Sequence, residues 1–250
     1  MRRVKRVIVL ILIVMLCMPL LTGVQTEAAD GEKHLDVLFT HDTHSHLNSY
    51  STIVNGKQKE VGGFARIKTL IDEKKKENPD TLILDGGDFS MGTLIQTVYT
   101  TEAAELRMLG YLGCDVTTLG NHEFDYGMDT FLSYAQNASA DFLSCNFVST
   151  ETGETVFDAY KVVPYEVNGR EIKIGYVGIC TPETITKSTP TYFQNEDGEF
   201  IYGFSAQTNE QLYETVQNAV DAAVSDGADY VVALAHLGDS GVEEAWSSRN

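Results

Sequence analysis

The sequence has 250 residues, of which 36 are acidic and 18 are basic, so its formal net charge at pH 7 is −18. A chain this acidic lacks the basic surface that binding to a nucleic-acid backbone requires, and it favours divalent cations as partners. The apolar fraction of 43% is typical of a globular protein that buries a core. The length suits one large domain or two small ones.

The amino terminus predicts a secretory signal peptide over residues 1–29. The basic stretch MRRVKR precedes the apolar run VIVLILIVMLCMPLLTGV, and small residues follow for cleavage near Ala28 or Ala29. The alternative is an uncleaved membrane anchor, because the apolar run approaches spanning length. Pro19 and Gly23 near its end favour cleavage. The mature domain is then residues 30–250, and its three scattered cysteines predict buried thiols, not a disulfide framework.

Apolar periodicity along the mature chain predicts an alternation of strands and helices. The predicted strands lie at about 35–41, within 80–88 where the strand runs into glycines, within 116–123 where the strand runs into a loop, at 140–147, in two runs over 160–179 split by the turn VNGR, and at 228–236. The predicted helices lie at 62–78, from 101 up to Gly110 or Gly113, at 127–138 and at 208–227, and residues 187–204 are predicted to be irregular. This order predicts an α/β layered fold, built on either one continuous sheet or a sandwich of two.

Polar side chains follow four of the predicted strands. They are Asp42 and His44 after the first strand, Asp88 after the second, Asn121, His122 and Asp125 after the third, and His236 after the last. Taken singly, Asp88 could be a turn former and His236 a structural histidine. Because sites in open α/β sheets form at the carboxyl ends of strands, four sets at this edge favour a functional site.

These residue types suit divalent metal ions and phosphoryl transfer. Imidazoles and an asparagine carbonyl bind borderline divalent metals, and an aspartate can bridge two cations. Such a pair can activate water and offset the charge that develops on a phosphoryl group. Asp125, three residues after His122, can orient an imidazole that does not bind metal, or it can be a simple turn residue. The sequence contains neither a serine nucleophile elbow nor an H-E-x-x-H motif.

The motifs in combination resemble the calcineurin-like metallophosphoesterases. The matching motifs are D-x-H at 42–44, G-D at 87–88, G-N-H-E at 120–123 and the histidine at 236. The longer runs FTHDTHSHL and LGNHEFDYG are similar to the bacterial 5′-nucleotidase and UDP-sugar hydrolase family. The resemblance implies a layered β-sandwich flanked by helices, and an extracytoplasmic bacterial hydrolase of nucleotides or nucleotide sugars that uses two metal ions to activate water.

The resemblance also implies roles for individual residues. Asp42, His44 and Asp88 correspond to the ligands of one metal ion, and Asp88, Asn121 and His236 to those of the second, with Asp88 shared. His122 and Asp125 correspond to the catalytic pair, and Asn121 and His122 also to substrate-binding residues. The ions are expected to be zinc, manganese, cobalt or magnesium, and the protein a monomer. His41 and His46 are not assigned as ligands and are interpreted as residues of the loop or as neighbours of the ligands, with a structural and not a catalytic role.

The sequence departs from this family in one respect. A further G-H-x-H motif, which gives each metal ion one more ligand, does not occur in it, and neither does the family's carboxy-terminal specificity domain. The domain is therefore expected to be incomplete at its carboxyl end, with weak metal binding and turnover near background. The alternative hypothesis is a non-catalytic remnant that binds only metal or phosphate.

The predicted signal peptide has a direct test. Because the basic and apolar segments have the order of a cleaved export signal, we expect the cellular protein to begin after Ala28 or Ala29. Amino-terminal sequencing of protein from the culture supernatant and cell fractions measures this. An intact Met1 on a cytoplasmic product would contradict export, and an intact Met1 on a membrane-bound product would identify an anchor.

Overall fold

The computed structural model describes residues 35–238, whose two larger sheets pack face to face. The first sheet has four parallel strands in the order β1-β4-β5-β6. They are β1 (Val37–Thr40), β4 (Leu82–Asp85), β5 (Val116–Thr117) and β6 (Asp141–Phe142). All four run in the same direction, so their carboxyl ends meet at one edge of the sheet.

The second sheet has three strands, β8 (Tyr160–Val167), β9 (Arg170–Cys180) and β11 (Tyr230–His236), in the order β11-β9-β8. β8 and β9 form an antiparallel hairpin, and β11 runs parallel to β9. The hairpin turns at Asn168 and Gly169, whose φ values of 55° and 72° are the left-handed pair that a tight two-residue turn needs. The predicted turn VNGR is confirmed.

Two short antiparallel pairs complete the β structure. One is β2 (Tyr50–Val54) with β3 (Lys57–Val61), and the other is β7 (Phe147–Ser149) with β10 (Tyr202–Phe204). The helices are α1 (Phe64–Glu77), α2 (Tyr99–Glu102), α3 (Ala104–Leu112), α4 (Met128–Gln136), α5 (Thr184–Lys187) and α6 (Asn209–Ser225). Thr208 caps α6 in a capping box with Gln211.

Three apolar clusters separate the layers of the molecule. In β4, Ile83 packs among α1, α3 and α4, whereas Leu82 and Leu84 point to the opposite face and meet the second sheet. β9 alternates in the same way, because Tyr176 faces the first sheet while Val177 faces α6. The order of layers is therefore helices, sheet, sheet, helix. The layered β-sandwich is confirmed, and the alternative of one continuous sheet is wrong.

The two sheets approach each other closely at Gly178 of β9. A Cβ atom there would lie 2.0 Å from the carbonyl oxygen of Leu143, just beyond β6. The N–H of Cys145 donates to the Gly178 carbonyl at 2.8 Å, which joins the end of the first sheet to the second. The glycine lets the carboxyl ends of strands from both sheets lie side by side.

The predicted helices correspond to α1, α2 with α3, α4 and α6, and the strand predictions are confirmed with shorter bounds. In the segment 116–123 only β5 is a strand, and the chain then runs into a loop, as predicted. The predicted strand 140–147 consists of two strands, β6 and the start of β7. The β2–β3 hairpin was missed, although its Asn55-Gly56 turn carries the same signal as VNGR. Cys114, Cys145 and Cys180 are buried free thiols, as predicted.

The predicted signal peptide lies outside the described residues. Within residues 35–238, no helix has both the length and the apolar character needed to cross a bilayer.

Candidate metal centre

The site begins where β1 and β4 end, because the two loops that follow these strands continue the pairing of the sheet. The N–H groups of Asp42, His44 and Ser45 donate to the carbonyls of Gly87, Asp88 and Phe89 at 3.1, 3.0 and 2.9 Å. The D-x-H segment is thereby fixed alongside Asp88, as the parallel arrangement of the two strands predicts.

Four of these residues that carry a side chain adopt left-handed backbone conformations. The φ values are 52° for Asp42, 43° for His44, 55° for Ser45 and 53° for Asp88. For residues with a side chain this conformation costs on the order of 1–3 kcal/mol each, so the surrounding contacts must enforce it. Strain of this kind accumulates where a side chain has to be aimed at a particular point.

The side chains of these loops converge with one from the second sheet. His44 Nε2 lies 3.8 Å from both Asp42 Oδ1 and Asp88 Oδ2. His236, the last residue of β11, places its Nε2 3.2 Å from Asp88 Oδ2 and 4.0 Å from Asp42 Oδ1. Two imidazoles and two carboxylates therefore face a common point, and Asp88 Oδ2 faces both imidazoles.

The other nitrogen of each imidazole is hydrogen bonded to the backbone. His44 Nδ1 lies 2.9 Å from the Met91 carbonyl oxygen, and His236 Nδ1 lies 2.9 Å from that of Gly86. A carbonyl only accepts, so each Nδ1 carries the proton and each Nε2 is free to bind an ion. This arrangement is the usual one for histidines that bind a metal, and the donor set therefore fits a divalent cation.

The charges in the centre depend on one another. Burial by itself lowers the pKa of His236, but the hydrogen bond and charge of Asp88 outweigh it and raise the pKa to about 9. Burial raises the pKa of Asp88, and the neighbouring His236 reverses this effect and holds the pKa below its usual value. Asp88 and His236 therefore hold a proton between them, and a bound metal ion would replace this proton.

Glu123 holds the loops that carry Asp88 and Asn121. Its carboxylate is fully buried and accepts three backbone N–H groups, from Gly120 at 2.5 Å and from Asp88 and Phe89 at 3.1 Å each. The close approach needs Gly120, because a Cβ atom there would lie 2.0 Å from Asp88 Oδ1. Burial, with the nearby charge of Asp88, raises the pKa of Glu123 to about 8.

His122 and Asp125 form a hydrogen-bonded pair next to the converging ligands. His122 Nδ1 lies 2.5 Å from Asp125 Oδ2, and the His122 ring meets that of His44 edge-on with centroids 5.5 Å apart. The hydrogen bond with Asp125 raises the pKa of His122, against the effect of its partial burial. The backbone N–H of His122 also donates to Asp88 Oδ1 at 2.8 Å, so the pair is tied to the centre.

The structure brings together six of the residues singled out from the sequence, namely Asp42, His44, Asp88, His122, Asp125 and His236. Asn121 is half-buried and directly precedes His122 in the chain. His41 lies next to the ligands, which is one of the two positions expected for it. Its Nδ1 lies 2.9 Å from Asp42 Oδ2 and its ring stacks on that of His236 at 4.8 Å. His46 is exposed and contacts only carbonyls of its own loop.

Two supporting residues were missed. Asp85 precedes the glycines of the LDGGD motif, is fully buried, and accepts hydrogen bonds from Thr40, Gly87 and Thr117, which shape the turn into Asp88. Ser188 donates to Asp125 Oδ1 at 2.8 Å. A polar residue inside an apolar strand end could have indicated Asp85. Ser188 lies in the segment 187–204, which has no periodic pattern, so no signal in the sequence indicates it.

A family comparison decides how this site should be interpreted. The model of the calcineurin-like phosphoesterase family matches residues 35–250, which is most of the chain. The chain belongs to this family. The resemblance seen in the D-x-H, G-D and G-N-H-E motifs is thereby confirmed, and so is the metallophosphoesterase fold, since solved nucleotidase structures superpose on the chain.

Known proteins similar to this family member are nucleotide phosphoesterases. The 5′-nucleotidase of Vibrio vulnificus is 29% identical over 86% of this chain and 35% of its own length. The 5′-nucleotidase of Diplobatis ommata is 33% identical over 82% of this chain and 33% of its own length. The solved 5′-nucleotidase precursor of Thermus thermophilus superposes with a TM-score of 0.67 at 29% identity, covering 82% of this chain and 37% of that one. The chain thus spans about a third of these relatives.

Exchanging Glu123 for glutamine tests its role in holding the two loops together. The amide nitrogen would face a backbone N–H and leave one buried donor without an acceptor, which costs about 1–3 kcal/mol. We expect Glu123→Gln to lower the free energy of unfolding by that amount in urea denaturation. The control Glu214→Gln changes an exposed residue of α6 and should have no effect. Equal stability of the two variants would contradict the assignment.

Proposed function

We propose that this chain carries the catalytic centre of a metal-dependent hydrolase of nucleotide phosphoric esters. The observation that carries the proposal is the convergence of Asp42, His44, Asp88 and His236 beside the His122–Asp125 pair. A simple metal-binding protein has no need of an oriented imidazole next to its ligands. The arrangement therefore favours the enzyme over the alternative of a non-catalytic remnant.

We assign the ligands of two divalent ions. Asp42, His44 and Asp88 would hold one ion, and Asp88, Asn121 and His236 the other. Support comes from the two Nε2 atoms that face Asp88 Oδ2, and from the acidic residues that compensate the cationic charge. When bound, divalent ions supply positive charge against the charge developing on the phosphoryl group, and they lower the pKa of water. Zinc, manganese, cobalt and magnesium all fit carboxylate and imidazole donors to different degrees.

His122 acts on the substrate in this proposal. Its Nδ1 proton is held by Asp125, so its Nε2 is the atom available to the phosphoryl group or the leaving oxygen. The raised pKa of His122 keeps the imidazole protonated closer to neutral pH, which suits a donor to a leaving group. Asn121, which directly precedes His122, would contact a phosphoryl oxygen through its side-chain amide.

The substrate class and location are also part of the proposal. The similar proteins are named as 5′-nucleotidases and as a nucleotide phosphoesterase, which supports nucleoside phosphates or nucleotide sugars as substrates. The basic and apolar segments at the amino terminus support action outside the cytoplasm. The protein is proposed to act as a monomer.

The metal assignment predicts the effect of exchanging the shared ligand. Asp88→Asn keeps an oxygen to accept the His122 N–H but removes the negative charge that faces both imidazoles. We expect both ions to be lost, as measured by mass spectrometry of metal content after loading with manganese or zinc. Asp221→Asn on the exposed face of α6 is the control and should keep the wild-type content. Unchanged metal in Asp88→Asn would refute the assignment.

The catalytic assignment predicts a different result for His122→Ala. Turnover should fall about 10²–10⁴-fold, the range for one positioned acid or charge-stabilising group, while metal content stays unchanged. The measurement is hydrolysis of nucleoside 5′-monophosphates, UDP-sugars and an activated aryl phosphodiester. It is made on this chain and on a fusion with the remaining carboxy-terminal part of the Vibrio vulnificus relative.

The matched control for this experiment is His46→Ala, because His46 is an exposed imidazole of the site loop whose Nδ1 lies 2.8 Å from the backbone carbonyl oxygen of His44. Equal activity of the His122→Ala and wild-type proteins would show that the His122–Asp125 pair is structural. Loss of metal in His122→Ala would show that His122 is a ligand instead.

A further inference from the structure

Asp125 has a second partner besides His122. The hydroxyl of Ser188 donates to Asp125 Oδ1 at 2.8 Å, while Asp125 Oδ2 faces His122 Nδ1 at 2.5 Å. Each oxygen of the carboxylate is thus engaged by a different residue, and the plane of the carboxylate is fixed. With Ser188 absent, the carboxylate could rotate about its terminal bond, whose torsional preference is broad.

The backbone of Ser188 is fixed by the residues that precede it in the chain. It follows α5, and its backbone N–H donates to the Thr184 carbonyl at 2.8 Å. Thr184 is fully buried, and its Oγ1 lies 3.2 Å from Sγ of Cys180, the last residue of β9. The backbone N–H of Ser188 makes the last hydrogen bond of the helix, and the hydroxyl of Ser188 donates to the Asp125 carboxylate.

The residues that follow Ser188 in the segment 187–204 are also fixed by packing. Phe193 is fully buried, and its ring centroid lies 5.0 Å from that of Phe124. Phe124 belongs to the same short turn, His122–Phe124, that presents the imidazole. Ser188 therefore lies between one anchor in the second sheet and another in the turn that carries His122.

We propose that Ser188 is a positioning residue for His122, acting through Asp125. The second sheet would then contribute to catalysis through this hydroxyl as well as through His236. The hydrogen bond keeps Asp125 Oδ2 facing Nδ1 of His122, so that Nε2 of the same ring stays directed to the reacting group. The consequence for turnover rests on the proposed function, whereas the effect on the imidazole does not.

The first measurement reads the His122–Asp125 hydrogen bond directly. In the chain labelled with 15N-histidine, the proton on His122 Nδ1 gives a downfield resonance, assigned by its disappearance in His122→Gln. We expect Ser188→Ala to shift this resonance and to speed its exchange with water. Ser188→Thr, which keeps the hydroxyl, should restore it. The control is Ser225→Ala, whose hydroxyl bonds only the Asp221 carbonyl within α6, and it should leave the resonance unchanged.

The second measurement separates kcat from KM for an activated aryl phosphodiester. Loss of one hydrogen bond to a charged group predicts about a tenfold fall in kcat for Ser188→Ala, with KM and metal content unchanged. Ser188→Thr should recover most of the rate, and Ser225→Ala should match the wild type.

A resonance that does not move in Ser188→Ala overturns the inference, whatever happens to activity. A moved resonance with unchanged kcat in an active enzyme also overturns it, because the hydroxyl would then order Asp125 without serving catalysis. If neither the wild-type chain nor its fusion with the carboxy-terminal part of the Vibrio vulnificus relative hydrolyses any of the substrates, the proposed function fails. The resonance then still decides whether Ser188 positions His122.

Discussion

The carboxylate of Asp88 is the interaction on which the rest of the site depends. Its Oδ1 accepts the backbone N–H of His122, and its Oδ2 faces the imidazoles of His44 and His236. One side chain therefore connects the loops after β1, β4 and β5 with the end of β11. It can do so only because its backbone is held in a left-handed conformation, and because Gly120 leaves room for its Oδ1.

Much of this arrangement was predictable from the sequence. Apolar periodicity gave α1, α6 and the buried strand β4, because each buries one face or both. Ligand-type residues at strand ends indicated the site, since parallel strands bring such ends to one edge. The sandwich could not be separated from a single sheet in this way. Whether the strands form one sheet or two depends on which strands pack against each other. The alternation of apolar residues along a strand does not specify this packing.

The features that were missed depend on contacts between distant segments. Ser188 reaches Asp125 only because the aromatic packing of Phe193 on Phe124 folds an aperiodic segment back on the site. The stacking of His41 on His236 likewise needs the two sheets to be in register. The role of Glu123 was hidden for another reason. Its motif was recognised, but its partners are backbone N–H groups, which every sequence offers equally.

The hydrogen bond from His236 Nδ1 to the Gly86 carbonyl joins residues that are 150 positions apart, so it has a consequence for folding. The donor atoms come together only when both sheets are formed and packed, since Asp42 and Asp88 belong to one sheet and His236 to the other. An unfolded or half-folded chain then offers an ion no comparable set of ligands. Binding of a divalent ion by these residues would therefore be linked to the global folding equilibrium, and well above the Kd the stabilisation of the native state would rise with the logarithm of the free metal concentration.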